Sequence, residues 1–263
     1  MNPHSVYDID EHVAELYDRQ ITETHDIEFL LRQIAGRGPW KILEPFCGTG
    51  RILLPLAEHG HTLTGLDSSA GLLARARQKA ESLPAEVCAR VTLLEMDVTT
   101  RAWPGGNDLV ILGGNCFYEL PEAVIQEGCI RTALDALRPG GCLFIDNNHL
   151  EGDLPPAWQD PAPQPAFPSG TCADGTRLES TMQTVAFDAP RRLACFRRVT
   201  RVTHPSGQTE VKVRMQQKHP VSMAEVRDWL EYHTFTIKAM WGDYDGSPYT
   251  PDSPRAIFWA RRP

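Results

Sequence analysis

The run Leu43-Glu44-Pro45-Phe46-Cys47-Gly48-Thr49-Gly50-Arg51, with Asp67 downstream, constrains this chain more than any other segment. Lys41 to Leu43 form a short strand-like run that enters a glycine turn, and the turn opens a helical pattern through Ile52, Leu53, Leu56 and Ala57. A second short strand, Leu63-Thr64-Gly65-Leu66, ends on the acid. Glycines there let the backbone approach a ligand, and a carboxylate at that place accepts hydrogen bonds from ribose hydroxyls. The pattern predicts a βαβ unit that cradles an adenosine-bearing small molecule.

Around this unit the periodicities predict an α/β fold. Strands are expected near 41–46, 61–66, 91–96, 108–113 and 142–147, with helices near 50–59, 69–82 and 121–137. Two helical patterns precede them, one around Val13, Leu16 and Tyr17, the other placing Ile27, Leu30, Leu31 and Ile34 on one face. Pro55 is expected to kink the first core helix. Alternating apolar strands and amphipathic helices imply a mostly parallel sheet covered on both faces.

After Asn147 the texture changes. Six prolines between 153 and 168 read as a stiff loop, and three β-type segments follow. In the cleanest, 209–218, Val211, Val213 and Met215 share one face, and Glu210, Lys212, Arg214 and Gln216 share the other. The basic residues Lys212, Arg214 and Lys218, with Arg197, Arg198 and Arg201, read as a solvated outer face, or alternatively as a face for an anionic substrate. A capping box, Ser222 with Glu225, starts another helix. Two strands near 234–242 and 255–261 close the chain. The expected organisation is therefore 1–150 as N-terminal helices and cofactor-binding core, 151–220 as an inserted antiparallel β subdomain, and 221–263 as the rest of the core.

Twenty-six basic against thirty-four acidic residues give a net charge of −8, which disfavours nucleic acid as a partner. No apolar run is long enough to span a membrane, and Met1-Asn2-Pro3-His4-Ser5 shows no secretory signal. Seven scattered cysteines, never spaced Cys-x-x-Cys, read as reduced packing residues in a cytoplasmic protein. His59 and His61 flank Gly60 without a third ligand of suitable spacing, so no metal is expected.

A dinucleotide fingerprint requires a third glycine where this chain has Leu53. The order of segments instead resembles the class I S-adenosylmethionine-dependent methyltransferases, over about 41–147 and again over 222–263. Glu44 to Gly50 resembles that family's first motif, acid-x-Gly-x-Gly-x-Gly, with Phe46 in place of its first glycine. Leu66-Asp67-Ser68-Ser69 is similar to the segment whose acid holds the ribose diol. Leu94-Glu95-Met96-Asp97-Val98 resembles the segment whose acid meets the adenine amino group. Leu112-Gly113-Gly114-Asn115 matches the end of the fourth strand, where methionine moiety and acceptor meet, and Arg138-Pro139-Gly140-Gly141 matches the turn before strand five. Tyr17 resembles the N-terminal aromatic that closes over the cofactor.

The resemblance implies a Rossmann-like seven-stranded, mostly parallel sheet with an antiparallel last strand, plus a small antiparallel β insertion after strand five. It implies S-adenosyl-L-methionine as cofactor, held by Tyr17, Glu44, Gly48, Gly50, Asp67, Ser68, Asp97, Val98 and Gly113. Methyl transfer needs alignment and water exclusion more than acid–base machinery. Candidate catalytic residues are accordingly those at strand ends: Asn115, Tyr118 as a cation–π cover for the sulfonium, and His149 as base or orienter. Trp241, Tyr244 and Tyr249 are candidate acceptor-pocket aromatics. The insertion resembles, in placement, that of glycine N-methyltransferase-like proteins and sugar-amine N-methyltransferases. This implies a small-molecule acceptor, N- slightly ahead of O-methylation, and a sheet that roofs the pocket or joins a homodimer. Two alternatives stay open: a lyase or cyclase acting on the cofactor's aminocarboxypropyl chain, and a non-catalytic cofactor-binding assembly subunit.

Overall fold

A computed structural model describes residues 11–148, 150 and 156–263. Among these, the strands β1 (Lys41–Pro45), β2 (Thr62–Asp67), β3 (Val91–Glu95), β4 (Asn107–Leu112), β5 (Leu137–Asn148), β10 (Thr236–Trp241) and β11 (Arg255–Arg261) form one seven-stranded sheet. Its order is β3-β2-β1-β4-β5-β11-β10. β1 to β5 pair in parallel, and β11 runs antiparallel to both β5 and β10.

Successive residues of these strands point to opposite faces, and both faces are buried. Ile42, Leu63, Ile111 and Phe144 pack under α2 (His25–Ile34), α3 (Leu53–Glu58) and α4 (Ala70–Glu81). Leu43, Leu112, Leu143 and Ile145 pack under α6 (Ala123–Ala136) and α7 (Met223–Tyr232). A four-residue helix, α5 (Ala85–Cys88), leads into β3. The capping box of α7 is present: Ser222 Oγ accepts from Glu225 N at 3.1 Å, and Ser222 N donates to the Glu225 carboxylate at 2.8 Å. Burial raises the Glu225 pKa, but hydrogen bonds from His219 and Ser222 outweigh it and bring the carboxyl down to about 2.

Three local expectations are corrected. The first core helix begins only at Leu53, so Pro55 sits in its first turn, where the missing N–H costs nothing and no kink results. The turn expected at Arg138-Pro139-Gly140-Gly141 is the irregular start of β5, with the register to β4 shifting between Asn107 and Leu109. The segment after strand five holds four strands, not three. These are β6 (Gln164–Thr171), β7 (Arg177–Asp188), β8 (Leu193–Thr203) and β9 (Thr209–Lys218), an antiparallel meander in that order. Pro165 and Pro168 hid β6 from the sequence. They are tolerated because β6 is an edge strand with a register break.

The facing of β9 is also reversed. Val211, Val213 and Met215 are 52%, 52% and 54% exposed, whereas Lys212, Arg214 and Lys218 are half-buried and Gln216 is buried. Arg198 is buried on the same inward face, opposite Arg214, while Arg197 and Arg201 point outward. The basic residues are thus split between the two faces, and the apolar side of β9 meets solvent.

α1 (Glu11–Gln20) lies between the two sheets. Val13 and Leu16 pack against Leu178 and Val202 of the four-stranded sheet. Asp18 ties α1 to the core, accepting from Thr49 Oγ1 at 2.7 Å, Arg75 Nε at 2.9 Å and Lys79 Nζ at 2.8 Å. The absent secretory signal was an expectation about residues outside those described. No described helix is long and apolar enough to cross a membrane.

Candidate active site

The chain order reverses between β1 and β4, and a cavity of about 360 Å³ opens at the carboxyl ends of these strands. Tyr17, Glu44, Gly48, Asp67, Ser68, Asp97, Val98 and Gly113, brought together from α1, four strand ends and the glycine turn, all line it.

The turn after β1 is left-handed at Phe46 (φ 63°), Gly48 (φ 54°) and Gly50 (φ 76°). Phe46 adopts the conformation a glycine would take at that place in the motif, and its side chain packs on the core cluster beneath α6. Asp67 fixes the turn: Gly48 N donates to its Oδ2 and Ser69 N to its Oδ1, each at 2.9 Å. Each carboxylate oxygen keeps a lone pair for a further donor. Burial raises the Asp67 pKa, and these backbone donors oppose the rise. Asp97 Oδ1 accepts from Thr99 N at 2.9 Å and Thr99 Oγ1 at 2.6 Å, which orders the next strand end. Val98, Phe46, Leu120 and Ile125 form an apolar wall.

The other end of the cavity is charged. Glu44 is buried, its Oε2 has no hydrogen-bond partner, and burial pushes its pKa up to about 8 against the pull of the Arg51 cation. Arg51 meets Asp26 of α2 through two hydrogen bonds, 2.9 Å and 2.5 Å, and donates to the Glu23 carbonyl at 3.0 Å. Its buried Nε has no hydrogen-bond partner. Tyr17 hydrogen-bonds Arg51, and its ring meets Phe167 of β6 edge-on at 6.2 Å, so α1 closes over this end.

Other sequence candidates stand elsewhere. Gly50 does not line the cavity; it gives close passage beside Leu54, 3.1 Å from where a Cβ would be. Asn115 also lies off the cavity. It is left-handed (φ 61°), and its Oδ1 accepts from Asn148 N at 2.6 Å and Arg255 Nη2 at 3.3 Å, stapling the ends of β4 and β5. Tyr118 falls in a 3-10 turn, Cys116–Glu119; its side chain, and all of His149, lie outside the described residues. Trp241 and Tyr244 pack on Phe29, and Tyr249 on the core, so these aromatics are not cavity walls. Arg51 and Glu119, which do line it, were missed. Their partners are distant in sequence, and nothing local marks them.

Residues 42–141 match the family model described as "Methyltransferase domain". The rat (Rattus norvegicus) protein named glycine N-methyltransferase is 33% identical over 132 residues, 46% of this chain and 44% of the rat protein. The chain spans about half the length of the curated relatives it matches. A solved S-adenosylmethionine-dependent methyltransferase from Clostridium acetobutylicum superposes with a TM-score of 0.72 at 13% identity, covering 95% of this chain and 97% of that one. The sugar N-methyltransferase KedS8 from Streptoalloteichus gives 0.70 at 18% identity, over 100% and 98%. Residues 42–141 form a methyltransferase domain, and the seven-stranded sheet that contains them has the fold of the class I S-adenosylmethionine-dependent methyltransferases.

Proposed function

We propose that this chain is a cytoplasmic S-adenosylmethionine-dependent methyltransferase of small molecules, with an amine nitrogen slightly favoured over oxygen as acceptor. The observation that carries the reading is the single cavity where Asp67, Asp97, Gly48 and Glu44 converge.

These residues fit the cofactor. Asp67 has acceptor capacity left for a ribose diol, and Asp97 beside Val98 suits an adenine edge and face. Glu44 Oε2, buried without a partner, suits a cation. S-adenosylmethionine, when bound, would supply an electrophilic methyl group on a sulfonium. The chain's own part is to orient and to exclude water: α1 covers the charged end through Tyr17, and Glu119, Leu120 and Pro121 form the opposite rim. A neutral amine then needs no strong base, since its nitrogen sheds a proton only after the new bond forms. Asn115 acts here as a positioning residue through Asn148 and Arg255.

Calorimetric titration tests the reading. S-adenosylmethionine and S-adenosylhomocysteine are expected to bind, and Asp67→Ala to weaken both by about tenfold or more. Unchanged affinity in that variant sinks the site assignment. Mass spectrometry of the product tests the reaction, because methylthioadenosine in place of S-adenosylhomocysteine eliminates methyl transfer. A homodimer through the exposed Val211, Val213 and Met215 face accords with this reading, and sedimentation of a Val213→Glu variant checks it.

A further inference from the structure

The inward face of the four-stranded sheet is polar and cationic, contrary to what alternation in β9 suggests. Its register reads as a series of rungs between β8 and β9: Val202 with Glu210, Thr200 with Lys212, Arg198 with Arg214, Phe196 with Gln216, and Ala194 with Lys218. The first rung packs on α1, where Val202 meets Val13 and Leu16. The far rungs reach the opposite rim of the cavity. Gln216 Nε2 donates to Glu119 Oε2 and Lys218 Nζ to Glu119 Oε1, both at 2.8 Å. Tyr17 of α1 and Glu119 line the cavity from its two sides. Rungs on one face repeat every two residues, so Val202 to Phe196 spans about 20 Å. The middle rungs therefore stand across the mouth.

Those middle rungs hold Arg198, Arg214 and Lys212. Directly opposed like charges on one sheet face repel, and Arg198 is 7% exposed. Arg198 donates to the Phe167 carbonyl, and the acids mapped on this side are Glu119, taken by Lys218, and Glu210, 3.7 Å from Lys212. Gln216 is 9% exposed and its Oε1 has no hydrogen-bond partner, so the face also offers a buried acceptor beside Glu119.

We propose that this inward face is the acceptor-binding surface, and that it selects an amine carrying an oxyanion, held by Arg198, Arg214 and Lys212. The anion relieves the opposed guanidiniums, and Gln216 Oε1 takes a donor of the same molecule. The inference rests on the methyltransferase reading for the word acceptor, but anion binding by the face has its own readout. A cationic face over a cavity in a chain of net charge −8 also concentrates anionic ligands locally.

Two matched pairs of probes test it: glycine against ethanolamine for a carboxylate, and glucosamine 6-phosphate against glucosamine for a phosphate. Each is titrated calorimetrically into the full chain, with and without S-adenosylhomocysteine. At least one anionic member is expected to bind about tenfold or more tightly than its neutral partner. Arg214→Gln and Lys212→Gln should each erode that preference, and Arg214→Lys should retain most of it. Arg197→Gln and Arg201→Gln, the same charge change on the outward face, should leave it intact. S-adenosylhomocysteine affinity should stay at the wild-type value in Arg214→Gln, which also shows that the variant folds. Equal binding within both pairs, no binding of either anion at millimolar concentration, or equal loss from outward and inward variants overturns the proposal. Failure of S-adenosylhomocysteine to bind would instead sink the cofactor reading, and the anion preference of the chain alone would still decide this one.

Discussion

Glu44 concentrates the chemistry of the cavity in one side chain. Its ordinary pKa is near 4.5 and burial lifts it to about 8, so the folded chain binds this proton more tightly than the unfolded chain. The sign follows: Glu44 costs stability as pH rises from about 4.5 toward 8, and the cost is complete above that. A cationic ligand beside the carboxylate reverses the preference and favours ionisation, so binding expels the proton. S-adenosylmethionine should therefore bind the wild type more tightly as pH rises from about 7 to about 9 than it binds Glu44→Gln. Adenosine, which carries neither cation, should show no such difference between the two proteins. Parallel pH profiles for S-adenosylmethionine in both proteins would remove Glu44 from the cation site. The sequence made Glu44 and Asp67 legible because a motif fixes their spacing. It hid Arg51, whose guanidinium is set by Asp26 on a helix that precedes the sheet. It also left open what Phe46 does in a glycine's place, and the answer is backbone: the residue takes the left-handed turn and gives its ring to the core.

At the level of elements, the ends of β5 and β11 carry an ion pair that no motif announces. Asp146 is fully buried and accepts from Arg255 Nε at 2.8 Å, Arg255 Nη2 at 2.6 Å and Tyr244 Oη at 2.6 Å. Arg255 also reaches Asn148 and Asn115, so one guanidinium ties together the strand ends beside the cavity. Removing one partner of a buried pair strands the other, which costs about 3–5 kcal/mol. Asp146→Ala should lose that much stability in denaturant unfolding. Tyr244→Phe, which deletes one hydrogen bond to a charged group, should lose about 1.5–3 kcal/mol. Equal losses from the two variants would mean that the pair contributes nothing beyond the tyrosine contact. Element type was readable wherever one period ran uninterrupted, as in α7 with its capping box and in β10 and β11. Prolines concealed β6, because a residue without an N–H argues against a strand unless the strand lies at an edge. In β9 the period of two was legible but its sense was not. Alternation shows that two faces differ, while which face turns inward depends on what the sheet covers.

On the scale of the whole molecule, burial is uneven. Two large apolar clusters fill the two faces of the seven-stranded sheet, whereas α1 meets the four-stranded sheet through a small one: Val13, Leu16, Cys172, Leu178 and Val202 with Phe167. Segments with few buried apolar contacts open at lower free energy than the core of the same chain. α1 and the neighbouring rungs of β7 and β8 should accordingly exchange their amide hydrogens ahead of β1, β4 and β5. Tyr17 and Asp18 link that weak unit to the cavity, since one lines it and the other bonds Thr49 of the glycine turn. A ligand that fills the cavity should therefore slow exchange in α1 while leaving the centre of the large sheet unchanged. Leu16→Ala, which empties a fully enclosed leucine site at a cost of about 2–5 kcal/mol, should speed exchange in α1, β7 and β8 together. If exchange in α1 alone responded, α1 and the four-stranded sheet would not open as one body, and closure over the cavity would belong to the helix by itself.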